Sequence, residues 1–173
     1  MTGCPAGPVG IAARSVRHPD AARLLREFYD DQVGRYGFAE SVDLDPDEFV
    51  PPCGRFVVVY QVGRPVGCGG WRWHDQARTV EIKKTYVVPA ARGMGTGRAL
   101  LSWLEGDAVR AGAARAILET GVRNTAALAL FASQGYRPVG RYVAGRDPEI
   151  NRAFARPLIP GNPPWRELRA CSG

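Results

Sequence analysis

The segment Arg92-Gly93-Met94-Gly95-Thr96-Gly97 lies between a strand-like run and an amphipathic helix, and it constrains the chain more than any other feature. Its alternating glycines place unobstructed backbone N–H groups at a helix N-terminus. The first-turn donors lack intrahelical acceptors, and the positive end of the helix dipole adds to them, so the loop is suited to an anion such as phosphate. Two familiar phosphate loops fail here. A Walker loop requires Gly-Lys followed by Ser or Thr, whereas Gly97 is followed by Arg98 and Ala99. A dinucleotide fingerprint requires glycine where Arg98 stands, and it follows the first strand of a βαβ repeat, although Glu119 mimics the ribose-binding acid.

The surrounding pattern supplies the topology. Residues 9–16 read as a strand, and Pro19 opens a helix with Ala22, Leu25, Phe28, Tyr29 and Val33 at helical spacing, ending near Gly37. Asp45-Pro46-Asp47-Glu48 marks a short helix or turn. Strands over 55–62, 66–73 and 79–88 have connections short enough to force antiparallel neighbours, and His74-Asp75 falls in one of them. A helix over 95–110 buries Leu100, Leu101, Leu104 and Ala108 and stops at Gly112. A strand over 116–120, a helix over 125–134, and strands over 137–143 and 151–158 complete a mixed α/β sheet with helices on both faces. The expected organisation is a leader over 1–8, a domain over 9–158 and a Pro-rich arm over 159–173.

Bulk properties narrow the function classes. A chain of 173 residues can bury about 70% of its unfolded surface in one core. No apolar run approaches the roughly 20 residues that a membrane span needs, and the first ten residues lack a signal-peptide pattern, so a cytoplasmic location is expected. Cys4, Cys53, Cys68 and Cys171 are widely spaced, and only His18 and His74 could add imidazoles, so no metal site is expected. The net charge of +6 comes from scattered arginines without interleaved aromatics, which argues against nucleic acid while favouring a polyanionic small ligand.

Residues 92–97 resemble the R/Q-x-x-G-x-G/A loop of the GNAT superfamily of N-acetyltransferases, and Arg98-Ala99-Leu100-Leu101 continues as the family helix does. Glu81-Ile82-Lys83-Lys84-Thr85-Tyr86-Val87-Val88-Pro89 is similar to the strand that enters that loop. Leu118-Glu119-Thr120-Gly121 and residues 124–136 resemble the next strand, its Asn-containing turn and the helix ending in Gly-aromatic. The resemblance implies a mostly antiparallel sheet with splayed central strands and acetyl-CoA as cosubstrate. It assigns the pyrophosphate to Arg92, Gly93, Met94, Gly95, Thr96, Gly97 and Arg98, and the pantetheine arm to the main chain of Tyr86, Val87 and Val88. Asn124 and Phe131 join the expected cofactor contacts, although Asn124 is equally explained as a helix cap.

Acyl transfer to an amine needs a proton acceptor and donors for the negative oxygen that develops. The two-residue strand period puts Glu81, Lys83, Thr85 and Val87 on one face and Val80, Ile82, Lys84, Tyr86 and Val88 on the other. By resemblance Glu81 stands where histone-type members carry a base, and the alternative is a surface carboxylate paired with Lys83 or an arginine. The N–H of Val87 is the oxyanion donor by the same resemblance. Where many members carry a tyrosine acid, this chain has Leu130-Phe131, so Tyr136, water or unassisted departure of the thiolate takes that role. Cys68 reads as a core thiol, and Trp71 and Trp73 either wall the acceptor pocket or pack the core. Asp30, Asp31 and Glu40 offer an acidic rim to a small-molecule or peptide amine but are equally explained as helix-surface carboxylates, and edge strands with the Pro-rich arm offer a surface for a homodimer. The rival expectation is a domain that binds acyl-CoA without turnover.

Overall fold

The computed structural model describes residues 8–159, so the expected leader and Pro-rich arm lie almost wholly outside the described residues. The order is β1 (Val9–Ala13), α1 (Pro19–Tyr36), a short 3-10 turn (Pro46–Phe49), β2 (Gly54–Gln61), β3 (Arg64–Trp73), β4 (Thr79–Val87), α2 (Thr96–Arg110), β5 (Arg115–Gly121), α3 (Thr125–Ser133), β6 (Arg137–Val139) and β7 (Asn151–Pro157). These strands form one sheet in the order β1-β2-β3-β4-β5-β7-β6. Every neighbouring pair is antiparallel except β4 and β5.

Alternation along β2 builds two cores. Val57 and Val59 join Leu100, Leu101 and Leu104 of α2 on one face, while Phe56 and Val58 meet Ala21, Leu24 and Leu25 of α1 on the other. The buried stripe of α1 is therefore rotated from the expected one, and Tyr29 and Val33 are exposed. Trp71 belongs to the α2 core, where its indole N–H donates to Asp107 Oδ2 at 2.9 Å, whereas Trp73 is partly exposed. Cys68 is fully buried, and burial pushes its thiol far up, as a core thiol requires.

Two differences from the sequence reading shape the site. The strand expected over 137–143 ends at Val139, and the chain crosses to β7 through an irregular segment that carries Tyr142 and Arg146 back over the sheet. The second difference is a β-bulge in β4. Cys68 pairs with Tyr86 but Gly70 pairs with Lys83, and Lys84 adopts φ 55° between them. A bulge places an extra residue against one partner and shifts the phase of the strand. Val80 and Ile82 therefore lie in the α2 core while Tyr86 lies in the α1 core. Strict alternation had put Ile82 and Tyr86 on one face, and it fails at Lys84.

Candidate active site

β4 and β5 run parallel for only three residue pairs, Thr79↔Arg115, Val80↔Ala116 and Glu81↔Ile117, and then diverge. The sheet opens there into a wedge with Glu81 at its apex. On the β3 side, the N–H of Val88 donates to Val66 at 2.9 Å. Antiparallel residues alternate in the side to which they turn their main-chain groups, so Val87 directs its N–H and C=O away from β3 into the wedge. Val88 is not brought to the site, because its C=O also accepts from the Ala91 N–H at 2.9 Å. Tyr86 likewise turns its main chain toward β3, and its ring lines the cleft.

A cleft of about 430 Å³ lies between α1, the end of β4, the glycine loop and α3. Gly93 and Gly95 adopt φ 75° and 83°, a left-handed conformation in which a Cβ is strained, and Gly95 caps α2. The N–H groups of Thr96, Gly97 and Arg98 then open the helix without intrahelical acceptors. Met94 and Arg98 are exposed beside them. Arg92 is folded inward: Nε donates to the Val87 carbonyl at 2.8 Å, Nη2 to Asp31 at 3.1 Å, and the guanidinium lies over the Tyr86 ring. Burial raises the Asp31 carboxyl, but hydrogen bonds from Arg35 and Arg92 outweigh it and hold the group below the usual carboxylate range. Asp31 thus serves the loop rather than an acidic rim.

Glu81 is 4% exposed, so it is not a surface carboxylate. Arg72, its direct neighbour across the β3–β4 ladder, donates from Nε and Nη2 at 3.0 and 2.9 Å. Lys83 Nζ approaches at 3.4 Å, and the Tyr142 hydroxyl donates to Oε1 at 3.2 Å. Burial, followed by the charges of Glu81 and Glu119, raises the Tyr142 hydroxyl far above its ordinary value, so it stays a donor. Arg72 and Tyr142 escaped the sequence reading. A known β3–β4 register would have revealed Arg72, but nothing local marks Tyr142.

Other expected residues are placed differently. Tyr136 is 1% exposed in the α2 core, lines neither cleft and donates to Glu105 Oε1 at 2.9 Å, so it is not brought to the wedge. Asn124 caps α3 by accepting from the Ala127 N–H at 3.3 Å, and it also lines the cleft. Phe131 is buried against Tyr136 at the junction of the clefts.

On the α1 side of Glu81 a second, smaller cleft of about 120 Å³ is lined by Lys83, Lys84, Glu119 and Arg146. Lys84 is 8% exposed and packs over Phe28, bonding Glu40 at 3.4 Å and the Ser41 carbonyl at 3.1 Å. Burial, aided by the charges of Lys83 and Arg72 and opposed by Glu81, lowers its ammonium to about 8. The unfolded lysine keeps its proton to about 10.5, so between those values the unfolded chain binds more protons and the folded state gains stability as pH rises. Denaturant titrations should show wild type gaining on Lys84→Met by roughly 2–3 kcal/mol across that window. A pH-independent difference would contradict this burial account.

Among the described residues no helix is long and apolar enough to cross a membrane, and no cluster of metal ligands occurs. The model of the acetyltransferase (GNAT) family matches residues 19–136. The chain is similar to an IAA acetyltransferase of Azospirillum brasilense, with 37% identity over 150 residues that cover 84% of this chain and 96% of the relative. Its fold is also that of a GNAT acetyltransferase from Staphylococcus aureus, with a TM-score of 0.69, 17% identity, and coverage of 88% of this chain and 100% of that one. An IAA acetyltransferase from Bacillus cereus gives a TM-score of 0.62 with 20% identity, covering 87% and 99%. From the glycine loop, the wedge between β4 and β5, and these matches together, the chain belongs to the GNAT family of acetyltransferases and is an N-acyltransferase.

Proposed function

We propose that this enzyme transfers the acetyl group of acetyl-CoA directly to a primary amine, and that residues 9–158 form the transferase domain. Family members use an acyl-CoA cosubstrate, which when bound supplies an activated thioester carbonyl. The observation that carries the reading is the wedge itself. A main-chain edge at Val87 that pairs with no strand, its carbonyl bonded by Arg92, ends at the loop where Gly93 and Gly95 turn left-handed ahead of the first-turn N–H groups of α2, and the apex holds a buried carboxylate, Glu81. The residues fit the cosubstrate: an extended amide arm suits the edge as an added strand, and a diphosphate suits the helix N-terminus. Arg92 then leaves the Val87 carbonyl and turns to the phosphates.

In this reading Glu81 accepts the amine proton, directly or through water, as the new C–N bond forms and the C–S bond breaks. The Val87 N–H stabilises the oxygen that becomes negative. Arg72 and Tyr142 fix the direction of the Glu81 carboxylate. Departure of the sulfur as thiolate needs no side-chain acid, in keeping with an ordinary thiol pKa of about 8.5. The test is calorimetric titration with CoA and with NAD, followed by thiol-release assays with acetyl-CoA and a broad amine panel. CoA binding with amine-dependent thiol release is expected. NAD binding without CoA binding would overturn the cofactor reading, and CoA binding without release on any amine would overturn the transfer.

A further inference from the structure

The smaller cleft beside Glu81 already holds a carboxylate. Glu40, from the irregular segment after α1, places its carboxyl group between Arg146 Nη2 and Lys84 Nζ, the latter at 3.4 Å. The cations lie inward, with the Lys84 and Arg146 side chains 5% and 22% exposed, whereas the Glu40 side chain is 45% exposed at the mouth. A cationic pair built into a cleft wall and covered by an exposed carboxylate on an irregular segment is a carboxylate subsite closed by the protein's own group.

Two further atoms of this wall have no hydrogen-bond partner among the described residues although both are buried. They are Arg146 Nε, a donor, and Glu119 Oε1, an acceptor. Arg146 Nε lies 3.2 Å from the other Glu119 oxygen, close enough for ionic attraction but without hydrogen-bond alignment. Buried polar groups are otherwise almost always satisfied. A ligand completing both must accept from the guanidinium and donate to the carboxylate a few ångströms away. An amino group and a carboxylate separated by one carbon meet that demand.

Charge balance agrees. Without Glu40 the cleft carries Lys83, Lys84 and Arg146 against Glu81 and Glu119, an excess of one positive charge. The attacking amine must be neutral, so an amino acid in its reactive form brings the single negative charge that Glu40 takes away. A simple amine brings none. The cleft, at about 120 Å³, has room for roughly four waters at about 30 Å³ each, which suits a small molecule better than a polypeptide.

We propose that the acceptor is a free α-amino acid whose carboxylate displaces Glu40 from Lys84 and Arg146, while its amine donates to Glu119 Oε1 and faces Glu81. This rests on the transferase reading above. Glu119 is a positioning residue in this scheme, and Glu40 is a competitor that substrate must expel.

The experiment measures thiol release from acetyl-CoA with free L-amino acids, each beside its amide and its decarboxylated amine, and with a tripeptide. At least one free amino acid should exceed its decarboxylated amine in kcat/KM by about tenfold or more, the effect of a charge-assisted pair. Arg146→Gln should collapse that ratio, mainly through KM, whereas Glu40→Gln should lower the amino-acid KM. CoA affinity serves as the folding control for both variants. Equal or better use of amides, decarboxylated amines or the tripeptide overturns the proposal, as does a raised amino-acid KM in Glu40→Gln. If no acceptor of any class is turned over, the transfer reading has failed. The subsite is then judged by titrating free amino acids into the CoA-bound protein: binding weakened by Arg146→Gln upholds it, and no binding to wild type refutes it.

Discussion

Gly95→Asp is expected to weaken CoA binding by about a hundredfold or more while the chain stays folded. The backbone at Gly95 has φ 83°, and a Cβ there would meet no atom within 4 Å, so the substitution costs backbone strain but no collision. Aspartate is among the residues that tolerate this conformation, and the strain amounts to roughly 1–2 kcal/mol. The electrostatic effect is larger. A carboxylate about 4 Å from a phosphate charge is repelled by about 4 kcal/mol at the effective dielectric of a protein surface, and the same carboxylate attracts the N–H groups that should face the ligand. Gly95→Ala separates the two contributions, because it carries the strain without the charge and should lose only a small part of the affinity. Calorimetric titration of both variants decides the matter. Wild-type affinity in Gly95→Asp would remove the loop from the binding site.

Glu81→Gln is expected to lower kcat by about 10²- to 10³-fold with CoA affinity retained, the scale of losing a positioned base. The amide keeps the shape of the side chain, and its oxygen can still accept from Arg72. What it loses is the capacity to take a proton. It also leaves Arg72 with Glu48 as its remaining anionic partner and Lys83 without its ion pair, which should cost about 1–3 kcal/mol of stability. Equilibrium unfolding reads that cost separately from the rate. Tyr142→Phe gives the comparison for orientation, since it removes one hydrogen bond to Glu81 but leaves the carboxylate ionisable. A wild-type kcat in Glu81→Gln would exclude Glu81 as the proton acceptor.

Most of the fold was legible because its signals are local. The α2 stripe of Leu100, Leu101, Leu104 and Ala108 is buried as its spacing requires, and Gly37 and Gly112 follow the helices they terminate with positive φ. The short connections around β3 produce the antiparallel meander. The glycine loop could be read for the same reason, since a helix start and its donors are set by adjacent residues. The chemistry of the wedge could not. Glu81 meets Arg72 through strand register, Tyr142 through a segment 61 positions away, and Lys84 meets Glu40 across 44 positions. None of these separations leaves a periodic trace. Tyr136 misled for a related reason: its place after the helix suited a cleft, but the burial of an aromatic ring at the start of β6 drew it into the core, where Glu105 satisfies its hydroxyl.

The bulge at Lys84 makes the wedge depend on arithmetic as much as on chemistry. Were the same residues paired without the bulge, the ladder to β3 would run in unbroken phase, and the segment entering the loop would exchange its inner and outer sides. Val87 would then offer its amide to β3, and Tyr86 would leave the α1 core. The ligand-facing edge at Val87 therefore depends on the phase of this strand rather than on the side chain of Val87 itself. Deleting the extra residue at the bulge would instead close the ladder regularly, with Tyr86 still opposite Cys68 and Val87 still facing the wedge.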